Sequence, residues 1–282
     1  MPVLIRPGRL GDVVLLGAVT KALGDCVVAT EPRYAPVAAS LSGVSRVIGL
    51  DAVRAEPGEL VDLQGSLRTR WLCRGRPHRT IHKRGVQRRL WLRTGWPDPP
   101  RPSVPALYAE AVGVAPVLPP WIDVPPRVRD TLGLAPGAAF GPKRWDPSRF
   151  VALGRRWDGP VAVFGGPGEE GLVHGVARAI PGARAVVEAG FTETLEALAA
   201  VRVMVAGDTG LLHLAGATGA RVVGLFGPTH PHDGFFVYPG EALGRDVPCR
   251  PCALHRVERC HTGTRACMAH DAEAVLEAVL RG

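Results

Sequence analysis

The chain has no long hydrophobic run. Its longest apolar stretches, such as Val13 to Val19, fall far short of the roughly 20 residues that a membrane-spanning helix needs. Arg6 follows only three apolar residues, so no signal-peptide core is present and a cytosolic protein is expected. Cysteine is scarce too: there are six, with Cys26 and Cys73 isolated, which argues against a secreted disulfide scaffold. Other absences narrow the chemistry. Gly8 and Gly11 do not make the G-x-G-x-x-G of a dinucleotide site. No D-x-D-like cluster stands out to hold Mg²⁺, and no metal site is assigned. No stacking-aromatic motif of an RNA-binding fold occurs, although Trp71, Trp91 and Trp96 lie among arginines, and no nucleic-acid partner is expected. Between residues 65 and 101 acids are nearly missing: eleven Arg or Lys face Asp98 alone. Such a field suits a polyanion, whether an anionic membrane surface, a phosphorylated substrate or nucleic acid.

What is present is a repeated α/β rhythm. With 282 residues and 46% hydrophobic composition, the chain can bury one large core or two ordinary ones, and length alone leans towards two domains. Val201 to Pro231 reads as strand (Val201 to Ala206), GDTG turn, short helix (Leu211 to Thr218) and strand (Arg221 to Phe226). Such a βαβ unit implies a parallel sheet, whose ligands bind beyond the carboxyl ends of the strands. Asp208, Thr209 and Gly210 stand there, with His213 on the following helix. A helix start without a side chain at Gly210 suits a diphosphate, and Asp208 should face a neutral part of the ligand such as a sugar hydroxyl. Spacing alone leaves open that Asp208 or Thr209 merely caps the helix and that His213 is a core histidine.

The first half shows the same pattern. Pro2 to Ile5 is a strand, RPGRLGD a turn, and Val13 to Leu23 an amphipathic helix beginning after Asp12. Strands follow at Cys26 to Thr30, Ser45 to Ile48 and Leu60 to Leu63. Pro97 to Pro126 holds ten of the 27 prolines, with room for a helix around Leu107 to Val112, and the linker is placed near Val114 to Leu132. The boundaries are thus 1–128, including the basic segment 65–101, and 129–282. Beyond the linker, Asp146 with Pro147 signals a helix start, Val161 to Phe164 a strand, and Thr192 the cap of a helix Glu193 to Ala200. The tail carries Cys249, Cys252, Cys260 and Cys267, spaced so that a zinc site or structural thiols are both possible, and ends in a helix behind Asp271.

Taken together, GRLGD, DLQGSLRTR, the PGA-x4-KRW element at Pro136 to Trp145, GDTGLLHLAGATGARVVGLFGPTHP and the cysteine-bearing tail resemble the bacterial heptosyltransferases of lipopolysaccharide inner-core synthesis, glycosyltransferase family 9. The resemblance implies an α/β fold of GT-B architecture, two Rossmann-like domains with parallel sheets facing a central cleft. The donor would lie on the C-terminal domain and the acceptor on the N-terminal one. It implies an inverting, metal-independent transfer of heptose from ADP-heptose to an inner-core glycan, with no cofactor. Asp12 is the implied base, with capping of the first helix as its other role. Lys143, matching the family's K-x-W, becomes the counter-charge for the diphosphate, helped by the backbone of Thr209 and Gly210. Asp208 would hold donor-sugar hydroxyls, and His213 would line the same site. Glu169 or Glu170 could grip ribose or sugar hydroxyls, and a role in the first turn of their helix explains either equally. Arg68, Arg84, Arg88 and Arg89 are assigned to an anionic, lipid-linked acceptor, which makes the protein cytoplasmic and peripheral to the inner face of the membrane. The other readings are the same fold acting on another glycan or a protein, or a basic RNA-binding protein with a zinc-binding tail.

Overall fold

A computed structural model describes residues 1–83, 85–94, 101–254 and 256–281. The N-terminal half runs β1 (Val3–Ile5), α1 (Leu10–Val14), α2 (Gly17–Leu23), β2 (Cys26–Ala29), α3 (Ala35–Ala39), β3 (Val44–Ile48), β4 (Leu60–Asp62), α4 (Leu67–Leu72), β5 (His78–Thr80), α5 (Gly85–Thr94) and α6 (Val104–Val112). The C-terminal half continues with β6 (Thr131–Ala135), α7 (Pro147–Arg155), β7 (Val161–Phe164), α8 (Glu170–Arg178), β8 (Arg184–Val186), α9 (Phe191–Ala199), β9 (Val201–Gly207), α10 (Gly210–Ala217), β10 (Arg221–Phe226), β11 (Gly240–Gly244) and α11 (Ala272–Leu280). Among the described residues no helix is long and apolar enough to cross a membrane.

The strands form two sheets, β3-β2-β1-β4-β5 and β11-β10-β9-β6-β7-β8, with parallel pairing throughout. Strands such as VLI, CVVA and VAVF are buried on both faces, as parallel sheets covered by helices require. In each sheet the chain order reverses once, between β1 and β4 and between β6 and β9. The loops leaving those strands are where a crevice opens in a doubly wound sheet. They carry Arg6 to Asp12 and Gln64 in one half, and Lys143 and Asp208 in the other.

Two helix starts differ from the sequence expectation. The first helix begins at Leu10 and breaks at Leu15 and Leu16, instead of running from Val13 to Leu23. Its cap position is Arg9, so Asp12 lies inside the first turn and does not cap it. The reason is packing on both sides: Val13, Val14, Leu15 and Leu16 are all buried in an apolar cluster that continues into Leu212 and Leu214 of α10. Likewise α9 starts at Phe191 behind Gly190, with Thr192 within its first turn, because Phe191 joins the same cluster. Asp146 does cap α7, accepting from the Ser148 N–H at 2.8 Å, and Asp271 accepts from the Glu273 N–H at the start of α11. The edge strands β5, β8 and β11 (HRT, RAV, GEALG) carry no apolar signature, since they are held by ladder bonds to one neighbour and bury little.

The two halves touch through α1 and α10. A side-chain carbon on Gly210 would stand 2.7 Å from the Leu10 side chain, and one on Gly11 would stand 2.7 Å from the His213 ring. The bare space beside Gly210 is therefore filled by Leu10 from the other half. Trp121, in the connecting segment, stacks on Phe236 with ring centres 5.8 Å apart, and its backbone N–H donates to the Ala217 carbonyl.

Candidate functional site

A cleft of about 590 Å³ lies where the two reversal points meet. That is the size of an ordinary small-ligand site. Asp12, Lys143, Asp208, Thr209, Gly210 and His213 all line it.

On the N-terminal side, the Asp12 carboxylate is ion-paired with Arg6, which is itself 5% exposed. Arg6 is fixed from elsewhere: it donates to the Leu63 carbonyl at 2.7 Å and lies 5.7 Å over the Tyr108 ring. Tyr108 in turn donates to the Asp12 backbone carbonyl at 3.2 Å. The Asp12 carboxylate remains 29% exposed, towards the cleft. The turn after β4 is built by buried Asp62, which accepts from the N–H groups of Gln64 and Gly65 at 2.9 Å each and from the Thr69 hydroxyl.

On the C-terminal side, Lys143 Nζ donates to Asp208 Oδ2 at 2.7 Å, with both side chains nearly buried at 9% and 12% exposure. Trp145, from the same KRW element, points the other way into the core, where its N–H donates to the His270 carbonyl. Thr209 is the cap position of α10, yet its side chain caps nothing, and its buried hydroxyl has no partner among the described residues. His213 is pushed below its ordinary pKa by burial, against the raising effects of Asp208 and Asp12. It lies within electrostatic reach of both carboxylates.

The two glutamates part company. Glu169 lines the cleft, and its carboxylate occupies the space left by the missing side chain of Gly137 while accepting from the Gly166 N–H at 2.9 Å. Glu170 is turned to its own loop, accepting from the Gly168 N–H at 2.7 Å, outside the cleft.

The basic residues are scattered by the fold. Arg88 forms a two-pronged pair with Asp233, with Nε 2.9 Å from Oδ1, and Arg101 approaches the same carboxylate at 3.6 Å. Asp233 is 1% exposed and belongs to the other half of the chain, so Arg88 ties α5 across the cleft. Trp91 of α5 sits edge-on to His230 and beneath Arg101. Arg68 pairs with Glu31 at 3.3 Å beside a smaller hollow that Arg9 also lines. Arg89 faces solvent, away from the cleft. Arg84 and Trp96 lie outside the described residues. The acids missing from the segment are thus supplied from afar, by Glu31, Glu59 and Asp233. A count along the chain misses them because folding brings them in.

Sequence reasoning also missed Arg6, Asp233 and Lys83, all of which line the cleft. Asp233 stands two residues after the GPTHP motif, which could have pointed to it. Lys83 had no signal beyond its charge. Among the described residues, no group of three or more His, Cys, Asp or Glu is placed to hold a metal ion, and all six cysteines are free.

Residues 118–235, which contain Asp208 to His213 and Lys143, match the model of "Glycosyltransferase family 9 (heptosyltransferase)". Lipooligosaccharide heptosyltransferase 2 of Haemophilus influenzae is 29% identical over 113 residues, covering 36% of this chain and 33% of that protein. Lipopolysaccharide heptosyltransferase 1 of Pseudomonas aeruginosa is 50% identical over 58 residues, or 20% of this chain and 16% of that protein. The chain therefore aligns with a third or less of the length of either relative. Over nearly the whole fold it is similar to the structure of E. coli heptosyltransferase WaaC with ADP-2-deoxy-2-fluoro heptose, with a TM-score of 0.70, 16% identity and 99% of each chain covered. The two parallel-sheet halves around a cleft are a GT-B fold, and the part of the chain that carries Lys143 and Asp208 is similar to glycosyltransferase family 9, the heptosyltransferases.

Proposed function

We propose that this protein is an inverting, metal-independent transferase that moves heptose from ADP-heptose to an anionic, lipid-linked inner-core glycan at the cytoplasmic membrane surface. One observation carries it: Asp12 and the Lys143–Asp208 pair line the same cleft, brought there by different sheets. The donor assignment draws on the likeness to E. coli heptosyltransferase WaaC with ADP-2-deoxy-2-fluoro heptose.

In this reading Asp12, oriented by Arg6, takes the proton of the acceptor hydroxyl as its oxygen attacks C1 of the donor sugar. The bond from C1 to the diphosphate breaks on the opposite face, which inverts C1. Negative charge then grows on the leaving diphosphate. Lys143 and the free N–H groups at the start of α10 supply the matching positive charge. Asp208, relieved of Lys143, accepts from sugar hydroxyls. Glu169 is the glutamate placed to grip donor hydroxyls.

The test is a melting-temperature panel with ADP, UDP and GDP. A selective ligand at 100 times its Kd adds about 2.7 kcal/mol of stability. ADP is expected to give the largest shift, and Lys143→Ala to reduce it. If no nucleoside diphosphate moves the melting curve, the transferase reading fails.

A further inference from the structure

The cations of the basic segment sort by what holds them. Arg76 donates to the carbonyls of Val53, Arg54, Glu56 and Gly58, and Arg79 to Glu59 and the Val112 carbonyl. Arg68, Arg88 and Arg101 have the carboxylates named above. Arg70, Arg74, Arg89 and Arg93 face solvent. Lys83 fits neither group: it is half-buried, it lines the cleft, and it makes no hydrogen bond or ion pair with any described residue.

The charges around Lys83 are Arg6, Asp12, Asp62 and Arg88. Both carboxylates are engaged elsewhere, Asp12 by Arg6 and Asp62 by the turn after β4. Lys83 is thus a partly desolvated ammonium beside two guanidinium groups. Burial is the main cause that lowers its pKa, to about 8. Such an arrangement is costly by itself and is relieved by an anion that enters the cleft.

We propose that Lys83 is an acceptor-recognition residue, binding a carboxylate or phosphate that the acceptor carries close to its attacking hydroxyl. This rests on the transferase reading and on Asp12 as the base, since the hydroxyl and the anion must reach Asp12 and Lys83 together. The exposed arginines act on any anionic surface from outside. Lys83 acts only on a group inside the cleft, so it sets acceptor KM and selectivity.

The experiment uses the full chain, ADP-heptose and a deacylated inner-core oligosaccharide in three forms: intact, carboxyl-reduced and dephosphorylated. Lys83→Met should raise the KM for the intact acceptor at least ~10-fold, leaving kcat and the ADP-induced melting shift unchanged, with Lys83→Arg restoring most of the loss. Wild type should handle one modified acceptor as poorly as Lys83→Met handles the intact one. That form identifies the anion as carboxylate or phosphate. Wild-type kcat/KM should fall as pH rises through about 8, the value to which burial lowers Lys83, and that limb should vanish in Lys83→Arg. Lys83→Met should keep or raise the melting temperature, whereas loss of a merely structural lysine would lower it. A KM within twofold of wild type in Lys83→Met, equal use of all three acceptors, or no transfer to the intact one overturns the proposal. If ADP binds in those cases, the donor site stands and only the acceptor assignment falls. If no nucleoside diphosphate binds, the transferase reading and this inference fall together.

Discussion

Asp12 and Lys143 are both held by an opposite charge, but with different consequences. Arg6 is locked by Leu63 and Tyr108, so it orients Asp12 and stays where it is. Lys143 and Asp208 meet each other at 2.7 Å, and in the proposed reading the donor takes both, so its binding would exchange that bridge for contacts with phosphate and sugar. Asp12→Asn should lower kcat by ~10²- to 10⁴-fold, the usual worth of a positioned base, with ADP binding nearly unchanged. It also leaves Arg6 less neutralised in a buried position, so a lower melting temperature is expected, and turnover is to be measured well below it. An Asp12→Asn protein with wild-type turnover would reduce Asp12 to a partner for Arg6. Asp208 was legible as part of a turn after a strand, because strand ends in parallel sheets place side chains in crevices, whereas Asp12 and Lys143 were singled out through the family resemblance; all three line the cleft. Arg6, Lys83 and Asp233 were not legible. Arg6 gains its role from Leu63 and Asp233 from Arg88, and those are contacts between distant parts of the chain.

At the scale of elements, the fully buried strands β1, β2, β4 and β7 and the side-chain-capped helices α7 and α11 could be read directly, since apolar runs and Asp caps are local signals; β6 (TLGLA), buried as well, was not, its start lying in the stretch expected as linker. Short edge strands and helices packed on both faces could not. The helix α5 was not read from the sequence either, and its two faces differ. Arg88 and Trp91 point inward to the other half of the chain. Val86 and Leu90 are exposed at 81% and 40%, and with Arg89 and Arg93 they fall at helical spacing on the outer face. Two apolar side chains flanked by arginines suit an anionic lipid headgroup layer. Each arginine near such a surface is worth ~1 kcal/mol, so Arg89→Gln with Arg93→Gln should weaken binding to phosphatidylserine-containing vesicles by roughly 30-fold at low salt. Cosedimentation across a salt series measures it. Unchanged binding in the double variant would remove α5 from the membrane contact and leave the outer arginines without that role.

For the whole molecule, the decisive contacts are those that close the cleft. One apolar cluster runs from the first sheet through α1 into α10, and Leu10 and His213 use the bare positions at Gly210 and Gly11. The other closure is the Asp233 carboxylate, 1% exposed, facing Arg88 at 17% and Arg101 at 11%. Removing one partner of a buried ion pair costs about 3–5 kcal/mol when the remaining charge cannot reach water. Here it can: if α5 lifts, Arg88 and Arg101 are rehydrated. Asp233→Asn should therefore loosen α5 and the cleft more than it destabilises either sheet. Hydrogen exchange is expected to speed up in residues 85–94, with the amides of β1, β6 and β9 unchanged. Transfer to the acceptor should fall while ADP binding, which in the proposed reading draws on Lys143 and the start of α10, stays within about threefold of wild type. If α5 keeps its protection in Asp233→Asn, or if the whole chain melts earlier as one unit, the pair is part of the common core and α5 is no movable cover.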